Sequence, residues 1–287
     1  MEPDPEPARP TTEDIPMHRL LSRLALAATV VATLAGLLPS VSAQPVAARQ
    51  ERIKSMGQLR VCIWPEYYGI TWRDPKTQQL SGLDIEMARE LARDLKVQPR
   101  FVDSSFARLI DDIGSGRCDI AMFAIGITPA RAERLRFARP HLQSDIYAIT
   151  TKANRTIRQW DDIDRPGVVV AVAKGTYHEP VMRAKLRAAT LKVVEAPSSR
   201  EQEVESGRAD LFMTDYPFSR RMLDTVDWAR LISPDGSFHL TPYAYAIAPG
   251  DERFFLRVEQ FVADIKRDGR LAAAAARYRL EPIVVTR

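Results

Sequence analysis

Gly116-Arg117-Cys118-Asp119-Ile120-Ala121-Met122-Phe123-Ala124-Ile125-Gly126-Ile127-Thr128-Pro129-Ala130-Arg131 is the stretch around which the chain is organised. Gly116 and Arg117 close a preceding helix. Ile120 to Phe123 is a short apolar run of strand length, bounded by turn residues. Thr128 followed by Pro129 reads as a helix start: a capping hydroxyl, then a proline where its missing N–H costs nothing. Arg131 therefore falls in a first helical turn, where a cation opposes the helix dipole. An anion held between the free N–H groups and the guanidinium would give it a purpose, and a carboxylate suits that geometry. The competing reading is a solvated arginine paired with Glu133 or Asp111. Spacing alone leaves both open.

Outward from this stretch, strands and helices alternate. Gln58 to Trp64 is an apolar strand, and Gly82 leads into a helix with Leu83, Met87, Ala88, Leu91, Ala92 and Leu95 at helical spacing. A strand ends at Phe101-Val102, a short helix covers Phe106 to Ile113, and Ile120 to Phe123 is the third strand. Such alternation predicts a parallel sheet covered on both faces, with ligands bound outside the carboxyl ends of its strands. Trp64 to Tyr67, Asp103 to Phe106 and Ala124 to Arg131 all fall at those ends. Asp145 to Thr150 reads as a crossover strand, and the alternation then repeats: strands at Val168–Val172, Leu191–Val194 and Leu211–Met213, helices after Gly175 and over Arg200–Ser206. His239 to Ile247 is a second crossover, and helices over Arg253–Lys266 and Leu271–Tyr278 pack back on the first lobe. The expected fold is α/β and two-lobed, each lobe a mostly parallel sheet with flanking helices. Residues 52–144 with 243–287 form one lobe and 145–242 the other, with hinged closure of the cleft on a ligand.

The first sixteen residues are acidic, Pro-rich and without apolar periodicity, which predicts disorder or a mis-assigned start. His18, Arg19 and Arg23 precede an apolar run from Leu24 to Leu38, and Val41-Ser42-Ala43 offers small residues for cleavage. Residues 17–43 thus read as a secretory signal peptide, the run being short for a membrane span. Export to the periplasm is expected, with the mature chain starting near Gln44. The whole chain carries 41 Lys+Arg against 37 Asp+Glu. That charge is too mild and dispersed to suggest nucleic acid. Cys62 and Cys118 lie near strand starts expected to be neighbours, and an oxidising compartment allows a disulfide as the minority alternative; both sit in apolar runs, where buried free thiols are expected.

Taken together, G-x-x-D, an apolar strand, I-T-x-x-R and then Arg136-Phe137-Ala138-Arg139-Pro140 resemble the signature of bacterial extracellular solute-binding proteins of family three. These are periplasmic receptors of polar amino-acid ABC transporters. The resemblance runs from about Arg52 to the C-terminus. It implies the type II periplasmic-binding-protein fold, an amino-acid-like ligand, an ABC permease as partner, a monomer and no cofactor or metal. It places the ligand α-carboxylate on Arg131, helped by backbone N–H groups near Gly126 and Tyr177, and the α-ammonium on Asp215. Tyr67 and Phe106 match aromatic residues that sandwich the ligand side chain, and Thr176 matches a polar contact. Trp64 and Ala124 complete the expected lining. Core packing is the competing reading for Tyr67 and Phe106, and a helix N-cap for Asp215.

The departures matter. Gly126 replaces a common Ser or Thr, so a hydroxyl for the ammonium is missing. Trp64 stands where receptors for basic amino acids can carry a carboxylate, which argues against lysine or arginine as ligand unless Glu66 substitutes. Tyr177 stands where a small hydroxyl residue is usual and narrows the cleft. His178 and Glu179 read as a solvated helix start. Two rival functions share the resemblance. One is an enzyme like the periplasmic cyclohexadienyl dehydratases, although Thr214-Asp215 is followed here by Tyr216-Pro217-Phe218-Ser219, without the nearby glutamate such enzymes carry. The other is a ligand-sensing module that docks on a membrane kinase. A receptor for a neutral or polar amino acid is the preferred reading.

Overall fold

The computed structural model describes residues 49–286; the extension and leader expected over 1–16 and 17–43 lie outside them. Helix α1 (Arg49–Met56) leads into β1 (Gln58–Ile63). Three very short strands follow, β2 (Glu66–Tyr67), β3 (Thr71–Arg73) and β4 (Leu80–Ser81), paired antiparallel into a small separate sheet. Helix α2 (Leu83–Asp94) turns Leu83, Ile85, Met87, Ala88, Leu91 and Ala92 inward, as its spacing predicted. It begins at Gly82, where φ is 124° and a Cβ would lie 2.3 Å from the Ile70 carbonyl oxygen, so only glycine fits. Then come β5 (Gln98–Asp103), α3 (Leu109–Gly114), the wholly buried β6 (Ile120–Gly126) and the one-turn helix α4 (Pro129–Ala132). Helix α3 starts three residues later than Phe106, which is left free to face the cleft. The short strands β7 (Arg136–Phe137) and β8 (Leu142–Ser144) lead out of this lobe.

The second lobe runs β9 (Tyr147–Thr151), β10 (Val169–Ala173), α5 (His178–Lys185), β11 (Thr190–Val194), α6 (Arg200–Glu205), β12 (Leu211–Thr214), α7 (Tyr216–Thr225) and β13 (Ala229–Ile232). The chain then returns through β14 (Thr241–Ile247) and closes with α8 (Glu252–Arg267) and α9 (Arg270–Arg277). The two larger sheets share one wiring. In the first the order is β5-β1-β6-β14-β7 with β8 also on β14; in the second it is β11-β10-β12-β9-β13. β1 pairs parallel with β5 and β6, and β10 with β11 and β12. The antiparallel member beside each parallel trio is the strand that carries the chain across from the other lobe, β14 on β6 and β9 on β12. Phe254, Val258, Phe261, Val262 and Ile265 bury one face of α8. Arg257 with Asp94, and Arg277 and Tyr278 with Glu86, tie the C-terminal helices to α2 of the first lobe.

The two connections between the sheets are joined at one point. Asp145 accepts hydrogen bonds from Ser237 Oγ at 2.6 Å, Phe238 N at 2.9 Å and His239 N at 2.7 Å, and from its neighbour Ile146 N. Burial acts to raise its pKa, but these donors outweigh burial and hold the carboxyl below its ordinary value.

Cys62 and Cys118 form a disulfide, with Cα atoms 5.5 Å apart, which corrects the expectation of free thiols. Both do lie in apolar surroundings, fully buried. What the apolar context could not show is their adjacency: Cys62 stands opposite Ala121 in the β1–β6 pairing, and Cys118 is on the turn that feeds β6. That places the two Cα atoms within bridging distance.

Candidate functional site

Where the carboxyl ends of the two sheets face each other, side chains from both lobes close around one small cavity. Trp64, Tyr67, Phe106 and Ala124 line it from the first lobe, and Thr176, Tyr177, His178, Arg200 and Asp215 from the second. It encloses about 10 Å³, room for a single water at most. A groove of about 580 Å³ opens above it; Trp64, Phe106, Thr176 and Arg200 line both spaces, and Glu66 borders the groove, exposed.

The first-lobe wall is aromatic. Trp64 lies 5.3 Å from both Tyr67 and Phe106 between ring centroids, and Phe106 backs onto Phe123 at 5.1 Å. Trp64 also stacks across the cleft on Phe218 at 6.3 Å. Ala124 adopts a left-handed backbone, φ 48°, unusual for a residue with a Cβ. Its N–H is held from behind by Asp84 Oδ2 at 2.7 Å. Asp84 is itself fully buried and hydrogen-bonded to His141 Nε2 and Tyr245 Oη.

Asp215 ends β12 and has both of the properties weighed for it. Its Oδ1 caps α7 by accepting from Phe218 N at 3.2 Å. Its Oδ2 faces the cleft, accepting from Tyr243 Oη at 2.8 Å and from Tyr67 Oη, a bond that joins the lobes. Burial raises its pKa, against the two tyrosine donors and the charge of Arg200. Tyr243 in turn meets Tyr177 Oη at 3.1 Å. Burial, and then the Asp215 charge, holds all three phenols protonated, well above their ordinary pKa.

Thr128 caps α4 by accepting from Arg131 N, as Thr128-Pro129 predicted. Among the described residues the Arg131 side chain has no carboxylate partner, neither Glu133 nor Asp111. It is buried, lies 5.4 Å from the Phe106 ring, and donates to two backbone carbonyls, Gly126 O at 2.7 Å in the first lobe and Gly175 O at 2.9 Å in the second. Burial lowers its pKa to about 10, so it stays charged at neutral pH. Arg131 and Gly126 stand beside the cavity rather than on its wall. The missing hydroxyl at Gly126 and the bulky Tyr177 turn out to be one feature. A Cβ at Gly126 would lie 3.2 Å from the Tyr177 ring and 3.0 Å from Thr241 Cγ2, so the ring fills the space a serine would need. Thr176 lines the cavity with its hydroxyl donating to Ala173 O.

Two residues on this wall were not expected from sequence. His178 is buried, not solvated: the Tyr177 ring lies tilted against it at 4.1 Å, and among the described residues neither ring nitrogen makes a well-formed hydrogen bond. Burial, then the charge of Arg200, keeps its pKa well below the ordinary histidine value, with the Thr214 backbone offering partial compensation. Arg200, the first residue of α6, reaches inward over the rings of Phe218 at 4.2 Å and Phe212 at 5.0 Å, and donates to Met213 O at 2.8 Å. Helical periodicity flags neither residue: Arg200 is buried by partners well along the chain, and His178 by its neighbour Tyr177. Glu179 accepts from Gly175 N and pairs with Arg183 at the surface.

The chain is 30% identical to the cyclohexadienyl dehydratase of Pseudomonas aeruginosa, over 82% of this chain and 87% of that protein. It is 24% identical to the L-cystine-binding protein TcyJ of Escherichia coli, over 79% of this chain and 84% of that one. Its fold superposes with a TM-score of 0.73 on the crystal structure of the ancestral amino acid-binding protein AncCDT-1, a precursor of cyclohexadienyl dehydratase. That match has 28% identity and covers 80% of this chain and 98% of the other. The family profile itself matches residues 59–281, nearly the whole described chain, and the chain belongs to the bacterial extracellular solute-binding proteins, family 3.

Proposed function

We propose that the chain is an exported receptor that captures an α-amino acid between its lobes and delivers it to an ABC permease, acting as a monomer. The observation that carries this reading is Asp215. A carboxylate buried at a strand end, shared between lobes and stabilised by neutral hydroxyls, is suited to an ammonium group, which needs a compensating anion once water is excluded. Arg131 supplies the opposite charge on the first-lobe side, for the carboxylate. A solute entering must displace Tyr67 from Asp215, while Arg131 keeps N–H donors beyond the two given to Gly126 O and Gly175 O, so the closed cleft holds the guanidinium in place for the solute. Relatives named for amino-acid binding support the reading.

A calorimetric or thermal-shift screen of the amino acids tests it, followed by Asp215→Asn on the best ligand. Asn keeps the size and the helix cap but not the charge, so affinity falls about tenfold to a thousandfold while fold stability changes little. A wild type that prefers the deaminated acid over the amino acid would refute the ammonium assignment.

The 30% identity to a dehydratase favours one second reading, an enzyme on the same cleft. Among the described residues Asp215 is the only carboxyl lining the cavity, and it already bonds Tyr67 and Tyr243 while capping a helix. Turnover of a cyclohexadienyl substrate by purified protein, abolished by Asp215→Asn, would establish that reading instead.

A further inference from the structure

Arg200 and His178 form a second polar face of the cleft, separate from the Arg131 and Asp215 pair. The Arg200 side chain is buried, yet among the described residues none of its hydrogen bonds goes to a carboxylate. Glu201, next along the helix, pairs with Arg221 instead. Two of the Arg200 N–H donors are taken, by Met213 O and Thr214 Oγ1; a guanidinium has five. The Phe212 and Phe218 rings fix its plane. Beside it stands His178, buried on the wall of the same cavity; among the described residues neither ring nitrogen makes a well-formed hydrogen bond, the Thr214 backbone being its one polar neighbour. Buried polar atoms are rarely left in this condition.

The charges of the cleft point the same way. Arg131 and Arg200 are positive, Asp215 is negative, and the tyrosines and His178 are neutral. The enclosed total is one net positive charge. A neutral zwitterionic amino acid adds nothing to that total and leaves Arg200 only the nearby charges of Glu201 and Asp215, neither of which it hydrogen-bonds. An amino acid with a negative side chain cancels the net charge.

Resting on the amino-acid reading above, we propose that Arg200 and His178 form a second anion subsite, and that the ligand is an α-amino acid whose side chain carries a carboxylate. Arg200 offers paired N–H donors to that group, and His178 donates one further hydrogen bond from whichever nitrogen bears its proton. Trp64 and Phe218 line the groove that Arg200 also borders and give it apolar walls.

The test is isothermal titration of the purified chain with L-glutamate, L-glutamine, L-aspartate, L-asparagine and 2-oxoglutarate. Each amide is an uncharged near-isostere of its acid. Wild type should bind one acid at least about tenfold more tightly than its amide, the scale of a buried charged partner. Arg200→Met should bring that ratio to within about threefold. If Arg200→Met does not fold, Arg200→Lys, which keeps the charge but not the paired donors, should narrow the ratio. An amide bound as tightly as its acid by wild type overturns the second anion subsite and leaves the amino-acid reading standing. 2-Oxoglutarate bound more tightly than glutamate overturns the ammonium role of Asp215 but not the subsite, provided glutamate still exceeds glutamine. Binding of none of the five overturns the acidic-ligand proposal, and the wider amino-acid screen then decides the reading beneath it.

Discussion

Gly175 packs directly against Ala107 of the opposite lobe, and adding one carbon there should prop the cleft open. A Cβ on Gly175 would lie 2.6 Å from the backbone N and Cα of Ala107, on the opposite lobe, and 2.9 Å from its Cβ. Ordinary contact begins at 3.4 Å, so the lobes must part locally by about 0.8 Å. The bond from Arg131 Nη2 to Gly175 O, now 2.9 Å, would lengthen to about 3.7 Å and be lost. A hydrogen bond to a charged group contributes about 1.5–3 kcal/mol. The expected loss of affinity in Gly175→Ala is therefore about tenfold to a hundredfold. The substitution also strains the backbone, because φ at Gly175 is 77°. Gly167→Ala controls for that: φ there is 86°, with nothing within 4 Å of the added carbon. Both variants should lose about 1 kcal/mol of fold stability, but only Gly175→Ala should bind weakly. Calorimetry gives the affinities, and small-angle scattering with saturating ligand should show a larger radius of gyration for Gly175→Ala. If the two variants bind alike, interlobe contact at Ala107 does not govern closure and the reasoning is wrong.

Arg131→Ala removes the cation that links Gly126 O to Gly175 O and should weaken the best amino-acid ligand by about 2–5 kcal/mol in titration; unchanged affinity would remove Arg131 from the site. Reducing the Cys62–Cys118 bond, which spans 56 residues, should destabilise the fold by about 4 kcal/mol on the chain-entropy account, read as a lower denaturant midpoint with dithiothreitol than without. Asp145 has a depressed carboxyl pKa, so its stabilising contribution is present above the unfolded aspartate value of about 3.9 and fades as pH falls through the lower folded value. Asp145→Asn should therefore be less stable than wild type at pH 7, with the gap in melting temperature closing towards pH 3; a gap constant with pH would show that the charge is not what matters there.

What sequence revealed of this protein, and what it concealed, divides by the range of the interactions. Thr128-Pro129 is a local signal, and the helix starts there. The apolar run from Ile120 is local too, and the strand is buried throughout, although it extends to Gly126. The convergence of Trp64, Phe106 and Ala124 followed from alternation alone, because a parallel sheet sends such loops to one edge. The short strands β2 to β4 escaped because two or three residues are too few for a period of two to register. Arg200 escaped for a different reason. Its partners, Met213 O and the rings of Phe212 and Phe218, lie well along the chain, and they meet only after β12 and α7 have docked. His178 at a helix start looks solvated until Tyr177 and the second-lobe sheet cover it. The disulfide escaped although the strand starts near Cys62 and Cys118 were expected to be neighbours, because apolar burial suits a free thiol and a bridged one equally.

The left-handed backbone at Ala124 has a consequence for how this cleft can change. That conformation costs a residue with a side chain about 1–2 kcal/mol, and the bond from its N–H to Asp84 helps hold it. The cost is met once, when the lobe folds, so the wall is already shaped when a solute arrives. Asp84, in turn, is held by His141 and Tyr245, whose side chains lie behind the sheet and touch no solute. Part of the selectivity is thereby written on the reverse of the binding wall. A lineage could retune the floor of the cleft by substitutions at Asp84, His141 or Tyr245 while every residue facing the ligand stayed the same.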